Sequence, residues 1–220
     1  MHAENPIIRK RGRPPKRGED QRLTRERLIR HGTAILTEKG FSSTGLEEFL
    51  KEASVPKGSF YHYFKSKDEF GLAVIENYGT YFATKLDKWL LDSSRKPLDC
   101  LDDFIQDAKR GLEKYRYRRG CLIGNLGQEM GTLDEKFRAP LEDVFKDWQK
   151  RIATCLERAR DYGDIPEDLD CEQIAAFFWI GWEGAILRSK LVQSSEPLDL
   201  FTRQFFRMIS PPTQNQTGSM

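Results

Sequence analysis

The run Pro56-Lys57-Gly58-Ser59-Phe60-Tyr61-His62-Tyr63-Phe64 groups side chains suited to meeting a polyanion. Serine and tyrosine hydroxyls donate to phosphate oxygens without adding bulk or charge, and glycine lets a backbone come close to a partner. Phe60 and Phe64 stand four apart, one helical turn, so both rings can turn inward together. That leaves Lys57, Gly58, Ser59, Tyr61, His62 and Tyr63 on the outward side. Lys57 and Ser59 fall near the N-terminal end of the segment, the end that usually meets base edges. Lys67 opens the next helix, where its ammonium, free backbone N–H groups and the helix dipole would together clamp a phosphate. Thr44 can act likewise at the start of the preceding helix.

A second candidate centre is Cys121. It follows Arg116, Arg118, Arg119 and Gly120 and opens a helical stretch. Nearby cations and a helix N-terminus both favour thiolate, the nucleophilic form. Aromatic candidates for a pocket wall are Trp89, Tyr115, Tyr117, Trp148, Trp179 and Trp182. Polar candidates are Asn125, Gln128, Glu129 and Glu183, the last standing inside an apolar helix, where it must be paired or face a cavity. Cys100, Cys155 and Cys171 lie within helical patterns away from cationic clusters and read as structural. No CxxC pair occurs, and His2, His31 and His62 lie far from the cysteines, which argues against a disulfide framework and a metal site. An enzyme would need a base for Cys121, yet His31 and His62 fall in the N-terminal part. Paired carboxylates and Gly-rich phosphate loops are missing from the sequence, so no catalytic residue, metal or cofactor is expected.

Periodicity supplies the elements that must hold these groups. Leu28, Gly32, Ile35 and Leu36 share one helical face from Thr24 onward, and Gly40 suits a left-handed stop. Leu46, Phe49, Leu50 and Ala53 mark a second helix, with Thr44 and Glu47 as the two halves of a capping box. Pro56 suits the first turn of a third helix of about two turns. Ser66 and Glu69 form another capping box, opening a long helix that runs to about Leu91. Further helices are expected at about 98–115, 121–131, 134–162, 170–192 and 197–209, punctuated by Pro97, Gly120, Gly131 and the Gly163–Pro166 turn. No segment alternates with period two, so the fold class is all-α. Its organisation is a basic arm over 1–20, a three-helix helix-turn-helix domain over 21–70, a helical ligand-binding and dimerisation domain over 71–210, and a tail over 211–220. In the 170–192 helix, Ile174, Phe177, Phe178, Gly181, Trp182 and Ala185 make an apolar stripe. Gly181, Gly184 and Ala185 are small enough for another helix to approach. With Leu198, Phe201, Phe205, Met208 and Ile209 they suggest a four-helix dimer interface.

The 220 residues carry a formal charge of +2, which hides an asymmetry. Residues 1–70 hold 15 Lys and Arg against 10 Asp and Glu, whereas residues 71–220 hold 21 against 24. A basic end on a mildly acidic body suggests a polyanionic partner for the first part only. No apolar run reaches the roughly 18 residues that span a bilayer. The N-terminus is polar and basic without a signal-peptide pattern, so no membrane partner and a cytoplasmic location are expected.

The run GFSSTGLEEFLKEASVPKGSFYHYFKSKDEF, above all KGSFYHYFKSK, resembles the N-terminal domain of the TetR family of bacterial regulators over about residues 24–75. The resemblance implies a repressor acting as a homodimer, whose two heads bind a palindromic double-stranded DNA operator and whose helical body binds a small-molecule inducer. It carries DNA contact onto Thr44, Lys57, Gly58, Ser59, Tyr61, His62, Tyr63 and Lys67. Glu47 departs from the polar or basic reader usual in the second helix and is read as serving the cap. Arg11-Gly12-Arg13-Pro14 resembles the core of an AT-hook, in which Arg11 and Arg13 would lie along a narrow minor groove. The run RRGCLIGNLGQEM resembles a TetR subgroup that includes repressors of electrophile-detoxifying reductases and of acrylate utilisation. By that resemblance Cys121 would sense electrophiles, or the inducer would be a small unsaturated acid or its thioester. The alternatives are a DNA-packaging protein without a specific site and a cysteine-dependent enzyme.

Overall fold

The computed structural model describes residues 18–132 and 135–210; the arm with Arg11 and Arg13 and the tail over 211–220 lie outside them. The described residues form nine helices and no strand. They are α1 (Gly18–Lys39), α2 (Leu46–Glu52), α3 (Lys57–Phe60), α4 (Lys67–Leu90), α5 (Pro97–Lys114), α6 (Leu122–Met130), α7 (Glu135–Asp161), α8 (Cys171–Val192) and α9 (Glu196–Ile209). From α4 onward every helix starts and ends within two residues of its expected bounds, because caps and breakers mark the ends. Ser66 accepts the Glu69 N–H at 3.1 Å to open α4, and Asp170 accepts that of Gln173 at 3.0 Å to open α8. Gly40, at φ 88°, takes the left-handed stop after α1.

Three local expectations are corrected. α1 begins at Gly18 rather than near Thr24. α3 is a single helical turn, after which Tyr61–Tyr63 form a tight turn. The Phe64 N–H still reaches Phe60 O at 3.0 Å, so Phe64 keeps its place one turn on from Phe60. Thr44 is not a cap. Gly45 stands at that position without a side-chain bond, and Thr44 is buried with its hydroxyl donating to Gly40 O at 2.6 Å.

α4 runs from the head into the body, packing on α1, α5, α6 and α7. α7 packs in turn on α8, and α8 on α9. Aromatic rings fill the centre: Trp148 lies 4.5 Å from Phe82 and 5.0 Å from Trp179 by ring centroids. Gly181 lets α9 approach within its own chain, since a Cβ there would collide with Phe201. It therefore does not belong to an open small-residue face, as the sequence suggested, whereas Gly184 has nothing near it.

Candidate nucleic-acid interface and ligand cavity

A one-turn helix cannot hold itself in water, because nucleation costs more than one turn returns. α3 is held by rings instead. Phe60 and Phe64 are essentially fully buried, and Phe60 lies 5.4 Å from Phe64, 5.6 Å from Phe70 and 6.4 Å from Phe49. The turn before α3 closes through Ser54 at φ 53°, with Val55 N–H donating to Leu50 O at 3.0 Å. The pinned rings leave Lys57, Gly58, Ser59, Tyr61 and His62 exposed and Tyr63 half-buried. A Cβ at Gly58 would meet nothing, so this glycine answers no packing need inside the chain. Glu47 of α2 accepts from Lys57 Nζ at 2.9 Å, which fixes the lysine at the edge of the exposed face, and does not serve the expected cap.

Lys67 does not point out of the start of α4. Its Nζ donates to Phe41 O at 2.6 Å and sits 4.4 Å from the centre of the Phe41 ring. Burial lowers its pKa. Thr44 is likewise committed inward. These two side chains shape the α1–α2 loop rather than offer free donors at the surface.

The body contains a cavity of about 630 Å³ between α1, α4, α5, the loop before α6, and α8. Tyr115, Cys121 and Trp182 of the sequence-expected residues line it. The remaining lining was missed, including Arg30, Thr37, Tyr78, Tyr81, Phe82, Lys85 and Arg119. Trp148 and Trp179 lie in the aromatic core, where the Trp148 indole N–H donates to Gly79 O at 3.4 Å. Asn125 ties three helices together, donating to Thr37 O at 2.9 Å and accepting from Lys190 at 3.3 Å. Gln128 is exposed on α6. Glu129 accepts from the Phe41 and Ser42 backbone N–H groups at 2.7 and 2.5 Å. It thus clamps the same loop that Lys67 holds.

Cys121 is the N-cap of α6, and its Sγ accepts from Gly124 N–H at 3.5 Å. Two of the three cations expected to activate it, Arg118 and Arg119, instead pair with Glu38, at 2.5 and 3.5 Å. Burial, and next the Glu183 carboxyl, push the Cys121 thiol well above its ordinary range. The expectation of a thiolate is therefore corrected to a thiol. Glu183 lies directly behind Cys121, against Gly124, where a Cβ would collide with its Oε2. Its Oε1 is buried without a hydrogen-bond partner, and burial raises its pKa to about 7. Among the described residues no cluster of His, Cys, Asp and Glu suits a metal, and no helix is long and apolar enough to cross a membrane.

Residues 28–74 match the family of bacterial regulatory proteins, tetR family, and residues 97–205 match the tetracyclin repressor-like C-terminal domain. The chain is 51% identical over 205 residues to the transcriptional regulator AcuR of Cereibacter sphaeroides, covering 93% of each protein. It is 33% identical over 191 residues to the HTH-type transcriptional repressor DhaR of Mycobacterium sp. strain GP1, covering 87% of this chain and 94% of that one. The crystal structure of regulatory protein TetR from Rhodobacter sphaeroides has a TM-score of 0.82 and 52% identity, covering 85% of this chain and 99% of that chain. A pinned one-turn helix before a long connecting helix, and a cavity in the body behind it, stand in a chain that belongs to the TetR family of transcriptional regulators and is a DNA-binding regulator rather than an enzyme.

Proposed function

We propose that the protein is a cytoplasmic repressor that binds a palindromic operator as a homodimer and leaves it when a small molecule fills the body cavity. The observation that carries this reading is the exposed face of Lys57, Gly58, Ser59, Tyr61 and His62, turned outward by the buried Phe60 and Phe64, with a glycine that answers no packing need. Lys57, Gly58, Ser59, Tyr61, His62 and Tyr63 are assigned to operator contact, with Thr44 and Lys67 positioning the loop beside them. Arg11 and Arg13 are assigned to an adjacent minor groove.

The dimer is assigned to α8 and α9. Phe177, Ile180, Leu187 and Leu191 form an apolar stripe on the outer side of α8 with exposures of 48%, 72%, 37% and 70%, and Gly184 interrupts it with open space. A stripe this apolar at helical spacing is what a partner helix covers. Ligand in the cavity would touch α4 directly through Tyr78, Tyr81, Phe82 and Lys85. It would thereby bias the helix that continues into the head. Unsaturated acids, their thioesters and electrophiles are the compounds to screen first.

The test is selection of duplexes from a random pool, followed by titration at fixed salt. The reading expects a symmetric consensus bound by two chains with at least about a thousandfold preference over bulk DNA. Uniform binding to all duplexes would replace it with the packaging role.

A further inference from the structure

The cavity is electrically lopsided. Its buried walls are Thr37, Leu112, Cys121, Trp182 and Ile186, none of them a cation. Its cations, Arg30, Lys85 and Arg119, belong to the exposed or half-buried part of the lining, and no Asp or Glu lines it among the described residues. Lys85 and Arg119 are anchored from outside the lining by Asp107, at 2.6 Å, and by Glu38. Two neighbouring acids, Asp107 and Glu38, thus already face those cations, whereas a third, Glu183, its Oε1 buried and unpartnered, stands behind the Cys121 wall beside Tyr78. A ligand anion placed among the buried walls would meet no lining cation, in a dry site where an unpaired charge is costly.

Size adds a second constraint. A three-carbon acid would fill only a small part of the 630 Å³ cavity. Cavities of this volume ordinarily take ligands of drug size.

We propose that the cavity takes an elongated amphiphilic anion, its acidic group at the Arg30–Lys85–Arg119 mouth and its uncharged end against Tyr78, Cys121 and Trp182. The acidic group is a carboxylate or a phosphate, the two anions that cations at a half-open mouth recognise in common. This deepens the ligand-released reading above and rests on it. The orientation also gives Cys121 a neutral partner, in keeping with a thiol rather than a thiolate.

The experiment is titration calorimetry on the full-length protein, with tryptophan fluorescence as a second signal because Trp182 lines the cavity. The probes are decanoate, decyl phosphate, 1-decanol and propionate. At least one of the two long anions is expected to bind about tenfold or more tighter than 1-decanol, through charge-assisted contacts, and tighter still than propionate. Which of the two wins identifies the acidic group. In a combined Arg30→Gln, Lys85→Gln and Arg119→Gln variant the preference over 1-decanol should vanish. Retained 1-decanol binding then shows that the cavity is intact.

Equal affinity for the anions and the alcohol would overturn the proposal, as would propionate matching decanoate. So would an anion preference that survives the mouth variant and grows about tenfold on Glu183→Gln, which would put the acid at the inner end. Tight capture of a long anion without release of a bound operator would support the cavity assignment and count against the inducer role instead.

Discussion

Single residues carry opposite duties at the two ends of the molecule. Phe60 and Phe64 surrender their surface entirely so that a one-turn helix can present five exposed neighbours. Truncating Phe60 to alanine should cost about 3–5 kcal/mol, the usual cost of emptying an aromatic site in a packed core. Urea unfolding would read it, and a loss below about 1 kcal/mol would show that the ring is no anchor. Glu183 works against stability. Burial holds its pKa at about 7 against an ordinary 4.5, so between those values the folded protein keeps a proton that the unfolded chain gives up. Stability contributed by the protonated carboxyl is full below pH 4.5 and is lost as pH rises through 7. The total is roughly 3 kcal/mol, with a plateau above that window. Glu183→Gln should flatten the profile, and urea midpoints between pH 5 and pH 8 would show it. Superimposable wild-type and variant profiles would mean that the carboxyl is hydrated in solution.

At the scale of elements, the short helix α6 joins the body cavity to the α1–α2 loop of the head. Its first residue, Leu122, follows a cysteine that lines the cavity, and near its other end Glu129 holds the α1–α2 loop through two backbone N–H groups. Glu129→Gln removes the charge from both hydrogen bonds. Amide exchange at Phe41 and Ser42 should then speed up by about tenfold or more, while α7 and α8 stay protected. Uniform acceleration across the chain would point to global destabilisation instead. Helices of this kind are easy to read from sequence. Pro97, Ser66, Asp170 and Gly40 mark their ends by local chemistry, and the expected bounds of α4 through α9 follow from them. The pinned face of α3 is equally legible, because two phenylalanines one turn apart dictate what faces outward. The inward turn of Thr44 and Lys67 is not, since their partners Gly40 and Phe41 lie in a loop whose path depends on Glu129, some ninety residues away. The cavity was only partly visible for the same reason. Cys121 and Trp182 stand out in sequence, but Arg30 of α1 and Tyr78 and Lys85 of α4 become lining only when the two helices pack together.

For the whole molecule, the proposed operator binding requires two copies acting together. An exposed α8 stripe of Phe177, Ile180, Leu187 and Leu191 is too apolar to be left in water. Ile180→Lys with Leu187→Glu should convert the proposed dimer to a folded monomer in sedimentation experiments and weaken operator capture by about a hundredfold, because two linked heads gain from effective concentration. A double variant that still sediments as a dimer would move the interface elsewhere.

The central claim, that the exposed side of α3 and the turn after it reads DNA sequence, is tested most directly by Lys57→Ala combined with Tyr61→Ala. Binding of a selected operator and of a scrambled duplex would be compared by fluorescence anisotropy at one salt concentration, with circular dichroism to verify folding. A roughly hundredfold or greater loss of discrimination in a fully folded variant is the predicted result. Unchanged preference for the operator in that variant would contradict it.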